Sequence, residues 1–286
     1  MSCVPALLSV RELSERLEDE SVRVVDCRFS LSEPEWGLHE YSRSHIPGAV
    51  YAHLERDLSG PVVKGRTGRH PLPDPQQLVH RVAGWGIHPG SHVVAYDSSS
   101  GMFAARLWWL MRWLGHEQVS VLDGGFEAWR NQQLPCSVRV PRLTMSQYTA
   151  QLNASLVATA EQVSRRVGQG TGGLIDARAE ARYRGEEEPL DPVAGHIPTA
   201  RCLPHQWLTR PDGTFLPPAE LRSILQPVVD SAPPDGVIAY CGSGVSACQV
   251  ALAAAIAGLP EMRLYAGSWS EWITDPARPV RTGKDP

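Results

Sequence analysis

The sequence predicts an α/β fold made of two tandem domains, each a parallel sheet flanked by helices on both faces. The chain of 286 residues is longer than one typical domain, and four motifs recur in the same order in its two halves. In each half, short apolar runs alternate with helical patterns. Runs of Val, Ile and Leu without polar alternation are typical of parallel strands buried on both faces.

The four recurring motifs indicate a tandem duplication. They pair residues 24–28 with 174–178, 45–49 with 196–200, 93–97 with 237–241, and 121–129 with 264–272. Their offsets are nearly constant, at 150, 151, 144 and 143 residues. Two copies are too few for a solenoid. We place the boundary in a proline-interrupted segment near residue 145, which gives domains 1–145 and 146–286.

The elements of each half follow from local patterns. Ser9 with Glu12, and Thr159 with Gln162, form capping boxes that predict the start of a helix in each copy. Apolar runs predict strands over 22–26, 92–96, 119–122, 173–176, 236–240 and 262–265. Helical patterns between them predict helices over 76–84, 103–114, 219–226 and 246–258.

Composition excludes several classes of protein. The 27 basic and 31 acidic residues give a net charge of −4, which lacks the basic excess of a nucleic-acid or anionic-membrane binder. Six cysteines are too few for a disulfide scaffold, and the ten histidines lack the spacing of metal ligands. The uncharged stretch 237–260 contains polar residues and glycines, which favours a strand, a loop and a helix over a membrane span. We therefore expect a cytoplasmic protein with reduced thiols, no membrane or nucleic-acid partner, no metal and no other cofactor.

The candidate chemistry lies after the strand predicted to end just before Cys241. Ligands bind at the carboxyl ends of strands in open parallel sheets. Gly242 and Gly244 permit backbone conformations in which successive amides form an anion-binding nest, and the following helix adds the positive end of its dipole. Such a site lowers the pKa of a cysteine thiol. The pattern is typical of a nucleophilic thiolate or of a persulfide anion at Cys241.

The first copy has Asp97 at the position equivalent to Cys241. A carboxylate cannot hold sulfur as a stable persulfide, and its charge repels an anionic substrate. We therefore expect the first domain to be catalytically inactive. Asp26, Arg28, Asp176 and Arg178 occur in both copies, which favours structural ion pairs at strand ends over a catalytic role.

Together these motifs resemble the two-domain rhodanese family of sulfurtransferases over nearly the whole chain. Residues 241–247 are similar to the mercaptopyruvate sulfurtransferase loop C-G-[S/T]-G-V-T-A, with Ser246 in place of Thr. They lack the basic residues of the thiosulfate-preferring loop C-R-K-G-V-T-A. The resemblance implies transfer of sulfur from the small molecule 3-mercaptopyruvate, through a Cys241 persulfide, to cyanide, thiols or thioredoxin-like proteins.

The loop pattern and the resemblance together indicate the site residues. Cys241 and Ser243 are the expected catalytic residues, and the expected substrate-binding residues are Arg182, Gly242, Gly244, Val245 and Ser246. A second family arginine, in an E-P-R element, is replaced here by Leu190. Arg184 and Arg69 are the candidates to supply its positive charge. We expect the acidic run 186–188 to be a solvated loop.

Three alternatives stay open from the sequence. Thiosulfate is an alternative donor, and a sulfur-binding module without turnover is an alternative to an enzyme. A cysteine phosphatase is the third alternative. It is disfavoured because a phosphatase needs an arginine six residues after its cysteine, where this chain has Ala247. We expect Cys3, Cys27, Cys136 and Cys202 to be incidental thiols, and Cys248 to pack in a helix rather than to act as a resolving thiol.

Overall fold

The computed structural model describes residues 4–286 and contains two sheets, one built mainly from each half of the chain. The strands of the first are β1 (Leu7–Leu8), β2 (Val22–Asp26), β3 (Val50–Tyr51), β4 (His92–Tyr96) and β5 (Val119–Leu122). The strands of the second are β6 (Leu174–Asp176), β7 (Ala200–Cys202), β8 (Ile238–Tyr240) and β9 (Arg263–Leu264). Their orders are β1-β5-β4-β2-β3 and β7-β6-β8-β9, and every pairing is parallel.

Helices connect these strands, as parallel pairing requires. In the first half they are α1 (Val10–Ser14), α2 (Trp36–Arg43), α3 (Pro75–Gly84), α4 (Met102–Trp113) and α5 (Gly125–Asn131). In the second half they are α6 (Ala160–Gly168), α7 (Glu180–Arg184), α8 (Pro218–Asp230), α9 (Ser246–Ile256) and α10 (Ser268–Trp272). Short 3₁₀ turns cover Ala154–Leu156 and His205–Leu208. Both expected capping boxes are present, at the starts of α1 and α6. The predicted two-copy α/β fold is confirmed.

The two copies share buried structure as well as topology. Arg28 forms a buried ion pair with Asp26, and Arg178 forms the same pair with Asp176, each at 2.6 Å. The expectation of structural ion pairs at the strand ends is therefore confirmed. A buried arginine–carboxylate pair with several hydrogen bonds is strongly destabilised when one partner is removed.

The chain divides into two compact units whose borders differ from a simple cut at residue 145. The first unit contains described residues up to Gly60 together with Pro73–Asn153 and Thr209–Phe215. The second contains Pro61–Leu72, Ala154–Leu208 and Leu216–Pro286. Residues 146–153 belong to the first unit because their backbone is hydrogen-bonded to it: the amides of Ser146, Gln151 and Asn153 donate to the carbonyls of Ala83, Leu114 and Trp113 at 2.9 Å.

The uncharged stretch 237–260 forms β8, a loop and α9, as expected from its polar interruptions. None of the helices within residues 4–286 combines the length and the apolar character needed to cross a bilayer.

Candidate active site

The candidate site is the loop that joins β8 to α9 in the second unit. Cys241 follows the last residue of β8 and is 2% exposed. Its amide donates to Ser268 Oγ at 3.1 Å, and its carbonyl accepts from the Trp269 amide at 2.9 Å. These contacts with the start of α10 hold the backbone on both sides of the thiol.

The thiol of Cys241 is surrounded by hydrogen-bond donors. The Gly244 amide lies 3.1 Å from Cys241 Sγ and donates to it. Burial is the largest single influence and raises the pKa of the Cys241 thiol, but the Ser246 hydroxyl and the amides of Ser243, Ala247 and Gly244 together bring that pKa below its ordinary value. Hydrogen bonds to the thiolate favour the charged form because they replace the water that burial removes. The thiol is therefore prepared for nucleophilic attack.

Gly244 makes this arrangement of amides possible. Its φ of +78° lies in the left-handed region, and a Cβ built on it would lie 2.4 Å from the Ala266 carbonyl oxygen. Only glycine satisfies both conditions. Val245 then precedes Ser246, the first residue of α9, and both the loop amides and the Ser246 hydroxyl are hydrogen-bonded to the Cys241 thiol.

Ser243 of this loop is paired with a histidine from a distant part of the sequence. Ser243 Oγ and His70 Nδ1 are 2.8 Å apart and hydrogen-bonded, and both residues are buried. His70 belongs to Pro61–Leu72, the segment of the first half that lies in the second unit. Sequence reasoning missed His70, because 173 residues separate it from Ser243 and no local pattern connects the two.

Two guanidinium groups lie beside the residue that follows Cys241. A Cβ built on Gly242 would lie 2.8 Å from Arg69 Nη2 and 3.5 Å from Arg182 Nη1. Arg184, the other candidate, instead forms ion pairs with Glu180 and Glu186. Of the two candidates for a second positive charge, the structure therefore brings Arg69, and not Arg184, next to the loop.

The expectation that the acidic run 186–188 is fully solvated is wrong for Glu188. Its side chain is 4% exposed, and it accepts hydrogen bonds from Arg182 at 2.6 Å and from Arg178 at 3.2 Å. Glu188 is buried because it pairs with both guanidiniums. Leu190, two residues later, is 53% exposed.

The other described cysteines lack these features. Burial raises the pKa of the Cys202 thiol to about 12, and burial together with nearby carboxylates raises that of Cys27 well above its ordinary value. Cys248 is fully buried in α9 and donates to the Gly244 carbonyl at 3.3 Å, while Cys136 is exposed. Cys3 lies outside the described residues. Of Cys27, Cys202 and Cys241, the first two have a raised thiol pKa and Cys241 has a lowered one.

Asp97 occupies the equivalent loop of the first unit. Its Oδ1 accepts from the amides of Ser99 and Gly101 at 2.7 and 2.9 Å, and its Oδ2 accepts from those of Phe103 and Ala104 at 2.8 Å. The backbone of this loop still forms an anion-binding nest, and the chain's own carboxylate fills it. In residues 4–286, no group of three or more His, Cys, Asp or Glu side chains is arranged to hold a metal ion.

Comparisons with known proteins agree with this geometry. The family model described as Rhodanese-like domain matches residues 9–132 and 159–275. The chain is 49% identical over 278 residues to a "Probable 3-mercaptopyruvate sulfurtransferase" of Pseudomonas aeruginosa, with 97% of this chain and 98% of that protein covered. It is 35% identical to the "Thiosulfate sulfurtransferase" of Cricetulus griseus, with 98% and 96% covered.

A solved structure gives the same result for the fold. The crystal structure of SseA from Escherichia coli, a 3-mercaptopyruvate sulfurtransferase, matches with a TM-score of 0.81 and 31% identity, covering 94% of this chain and all of that one. The family matches cover both halves, and the relatives share nearly the full length. The chain therefore belongs to the rhodanese family and is a sulfurtransferase, an enzyme that acts on small-molecule sulfur donors and acceptors.

Proposed function

We propose that this enzyme takes a sulfur atom from 3-mercaptopyruvate, holds it as a persulfide on Cys241 and passes it to a thiophilic acceptor. The observation that carries the proposal is the hydrogen bonding of the Cys241 thiol by loop amides, with the resulting lowered pKa. The same amides can stabilise the negative charge of a persulfide, because its outer sulfur, bonded to Cys241 Sγ, stays within the loop.

In the first half-reaction, the Cys241 thiolate attacks the donor sulfur. A sulfur–sulfur bond forms, the carbon–sulfur bond of mercaptopyruvate breaks, and its electron pair goes to carbon as the enolate of pyruvate. The thiol proton of the donor moves to that carbon, so the products are pyruvate and a Cys241 persulfide anion. The net charge is the same on both sides. Arg182, together with the amides that include Gly242, Val245 and Ser246, binds the donor's anionic end.

The Ser243–His70 pair supplies what this donor needs in addition to a nucleophile. Breaking a carbon–sulfur bond leaves a carbanion equivalent that must be protonated. The Ser243 hydroxyl and the His70 imidazole, 2.8 Å apart, form a path along which a proton moves from the donor sulfur to carbon. Thiosulfate has no such requirement, because sulfite leaves with its electron pair on sulfur and takes no proton in that step.

In the second half-reaction, an acceptor attacks the outer sulfur and releases the Cys241 thiolate. Cyanide gives thiocyanate, and a thiol gives a new persulfide. We propose that a small thiol or a thioredoxin-like protein is the acceptor in a reducing cytoplasm. We assign catalysis to the domain 146–286, together with His70, and an inactive role to the domain 1–145, because Asp97 cannot carry sulfur.

Thiosulfate is the second candidate donor, and the similarity to the thiosulfate sulfurtransferase of Cricetulus griseus favours it. The two donors are separated by steady-state kinetics on the wild type, with cyanide as the acceptor. We expect 3-mercaptopyruvate to give the larger kcat/KM, and a larger value for thiosulfate would reverse the donor assignment.

Replacing Ser243 tests the chemical argument. We expect Ser243→Ala to lower kcat/KM for mercaptopyruvate by about 100-fold and for thiosulfate by less than about threefold, since only the first donor requires proton transfer. His70→Gln is expected to reproduce this difference between donors, and Cys241→Ser is expected to abolish both activities. Equal losses with the two donors in Ser243→Ala would contradict the proton-transfer role.

A further inference from the structure

A buried carboxylate connects the two guanidinium groups beside Gly242. Asp191, whose side chain is 4% exposed, forms an ion pair with Arg69 through Oδ1 and another with Arg182 through Oδ2. The second distance is 3.2 Å. Arg182 is held from its other side by Glu188, which accepts from Nε at 3.1 Å and from Nη2 at 2.6 Å.

These contacts use only part of each guanidinium. Asp191 binds Arg69 through Nη1, and the two carboxylates bind Arg182 through Nε and Nη2. The remaining nitrogens, Arg69 Nη2 and Arg182 Nη1, donate to no protein acceptor among residues 4–286 and lie 2.8 and 3.5 Å from the position of a Cβ on Gly242. Both unused nitrogens therefore face the loop that carries Cys241.

The neighbouring guanidiniums of Arg69 and Arg182 repel each other electrostatically, and this repulsion is larger where water is excluded. A carboxylate that binds both removes this repulsion and fixes their orientation. Arg69 also donates its backbone amide to Ser270 Oγ at 3.1 Å, which anchors its main chain. Asp191 and Glu188 thus bind one side of the pair, and the unused N–H donors of the other side remain oriented toward the loop.

We propose that Asp191 is a positioning residue that joins Arg69 and Arg182 into a two-armed anion clamp, which selects sulfur donors bearing an anionic group. The inference rests on the proposed function for the identity of the donor. The clamp takes a carboxylate or a sulfur oxyanion at Gly242 and so places the donor's sulfur close to Cys241. The chain uses one carboxylate to arrange the site that binds another.

Alkylation of Cys241 measures the clamp without turnover. Iodoacetate is anionic and iodoacetamide is neutral, and both form the same bond to the Cys241 sulfur with release of iodide. The ratio of their rate constants therefore reports anion binding beside the thiol. We expect Asp191→Asn to lower this ratio about tenfold, a size typical of losing one member of a charge network that is largely shielded from water. Arg69→Gln is expected to lower it similarly, while Asp191→Glu should retain part of it.

Glu180→Gln is the matched control, because it removes a carboxylate that pairs with Arg184 on α7. An unchanged ratio in Asp191→Asn and Arg69→Gln would overturn the clamp, and a higher ratio would mean that Asp191 competes with the donor. The proposed function has a separate readout: the added mass of one sulfur, about 32 Da, on Cys241 after incubation with donor. A wild type that never gains this mass would contradict the persulfide while leaving the alkylation ratios interpretable.

Discussion

The neighbours of Cys241 distinguish its thiol from that of another buried cysteine, Cys27. Cys241 and Cys27 are both buried, yet the thiol pKa is lowered for the first and raised for the second. The difference lies in their neighbours, since Cys27 is near carboxylates whereas Cys241 is surrounded by amides and the Ser246 hydroxyl. Burial without donors makes a cysteine inert, and burial with donors makes it a nucleophile.

This difference predicts the pH dependence of Cys241 alkylation. Because the pKa of the folded state is below the ordinary value, the iodoacetamide rate should rise and level off at a lower pH than for an ordinary thiol. Ser246→Ala removes a donor to the thiolate, so the whole profile should move to higher pH. The alkylation rate at each pH is measured by quenching the reaction at set times and determining the alkylated fraction by mass spectrometry.

Ser223→Ala is the control for that measurement, because the Ser223 hydroxyl only donates to the Glu220 carbonyl on the surface of α8. An unshifted profile in Ser246→Ala would show that the backbone amides alone set the acidity of Cys241.

Among the secondary-structure elements, the β8–α9 connection places the reactive group. A buried parallel strand delivers Cys241 to the carboxyl edge of the sheet, and α9 begins at Ser246 only five residues later. Such a short connection needs the positive φ of Gly244 and its close approach to Ala266. The geometry of the thiol thus depends on a residue that has no side chain.

Alanine at Gly244 is expected to cost both stability and activity. The left-handed φ costs about 1–2 kcal/mol for any L-residue, and the contact with the Ala266 carbonyl adds to this cost. Displacement of the amide from Cys241 Sγ should lower kcat/KM by about 100-fold, since small misplacements in a catalytic group have effects of that size. Urea unfolding and steady-state kinetics measure the two effects.

Gly236→Ala is the matched control. Gly236 has a φ of +80°, and a Cβ built on it meets nothing within 4 Å. The Gly236→Ala variant should lose only the free energy of unfolding that the left-handed backbone costs, and should keep its activity. Equal losses of stability in the two variants would mean that the Ala266 contact is relieved by a small shift of the loop.

At the scale of the whole molecule, the two copies have equivalent loops with similar backbone amide donors, and these loops surround different side chains. The loop of the second unit surrounds a thiol, and that of the first surrounds the carboxylate of Asp97 with four amide donors. A nest filled by its own side chain satisfies buried amides that would otherwise lack acceptors. The first copy has therefore kept the anion-binding backbone as a structural element.

Asp97→Ala tests this structural role. Removing the carboxylate leaves several buried amides without an acceptor, so we expect the free energy of unfolding to fall by about 3 kcal/mol. Glu18→Ala, at an exposed position, should change it by less than about 0.5 kcal/mol. Chemical denaturation measures both, and a loss in Asp97→Ala no larger than in the control would contradict the role.

Local patterns predicted the fold class and the central strands, because a buried parallel strand or a capping box depends on residues that are close together in the sequence. The predicted strand over 22–26 coincides with β2, and the capping boxes lie where expected. The edge strands β1, β3 and β7 were missed, since two or three residues are too few to show a periodicity. The glycine loop, together with the comparison of the two copies, was enough to single out Cys241 as the candidate nucleophile.

The remainder of the site depends on distant contacts. His70 meets Ser243 across 173 residues, and Arg69 meets Asp191 across 122. Neither contact leaves a local pattern, because its partners lie in loops that are far apart in the sequence and meet only in the folded unit. Glu188 was misassigned for a related reason: an acidic run is usually solvated, and only its partners Arg178 and Arg182 make burial favourable.

The exchange of short segments between the two compact units has an evolutionary consequence. His70 and Arg69 are encoded in the first half but serve the second unit, and residues 209–215 are encoded in the second half but belong to the first. A recombination event that separated the halves would leave each descendant incomplete. Once this exchange was established, the two copies had to be inherited together, although one has Asp97 where the other has Cys241.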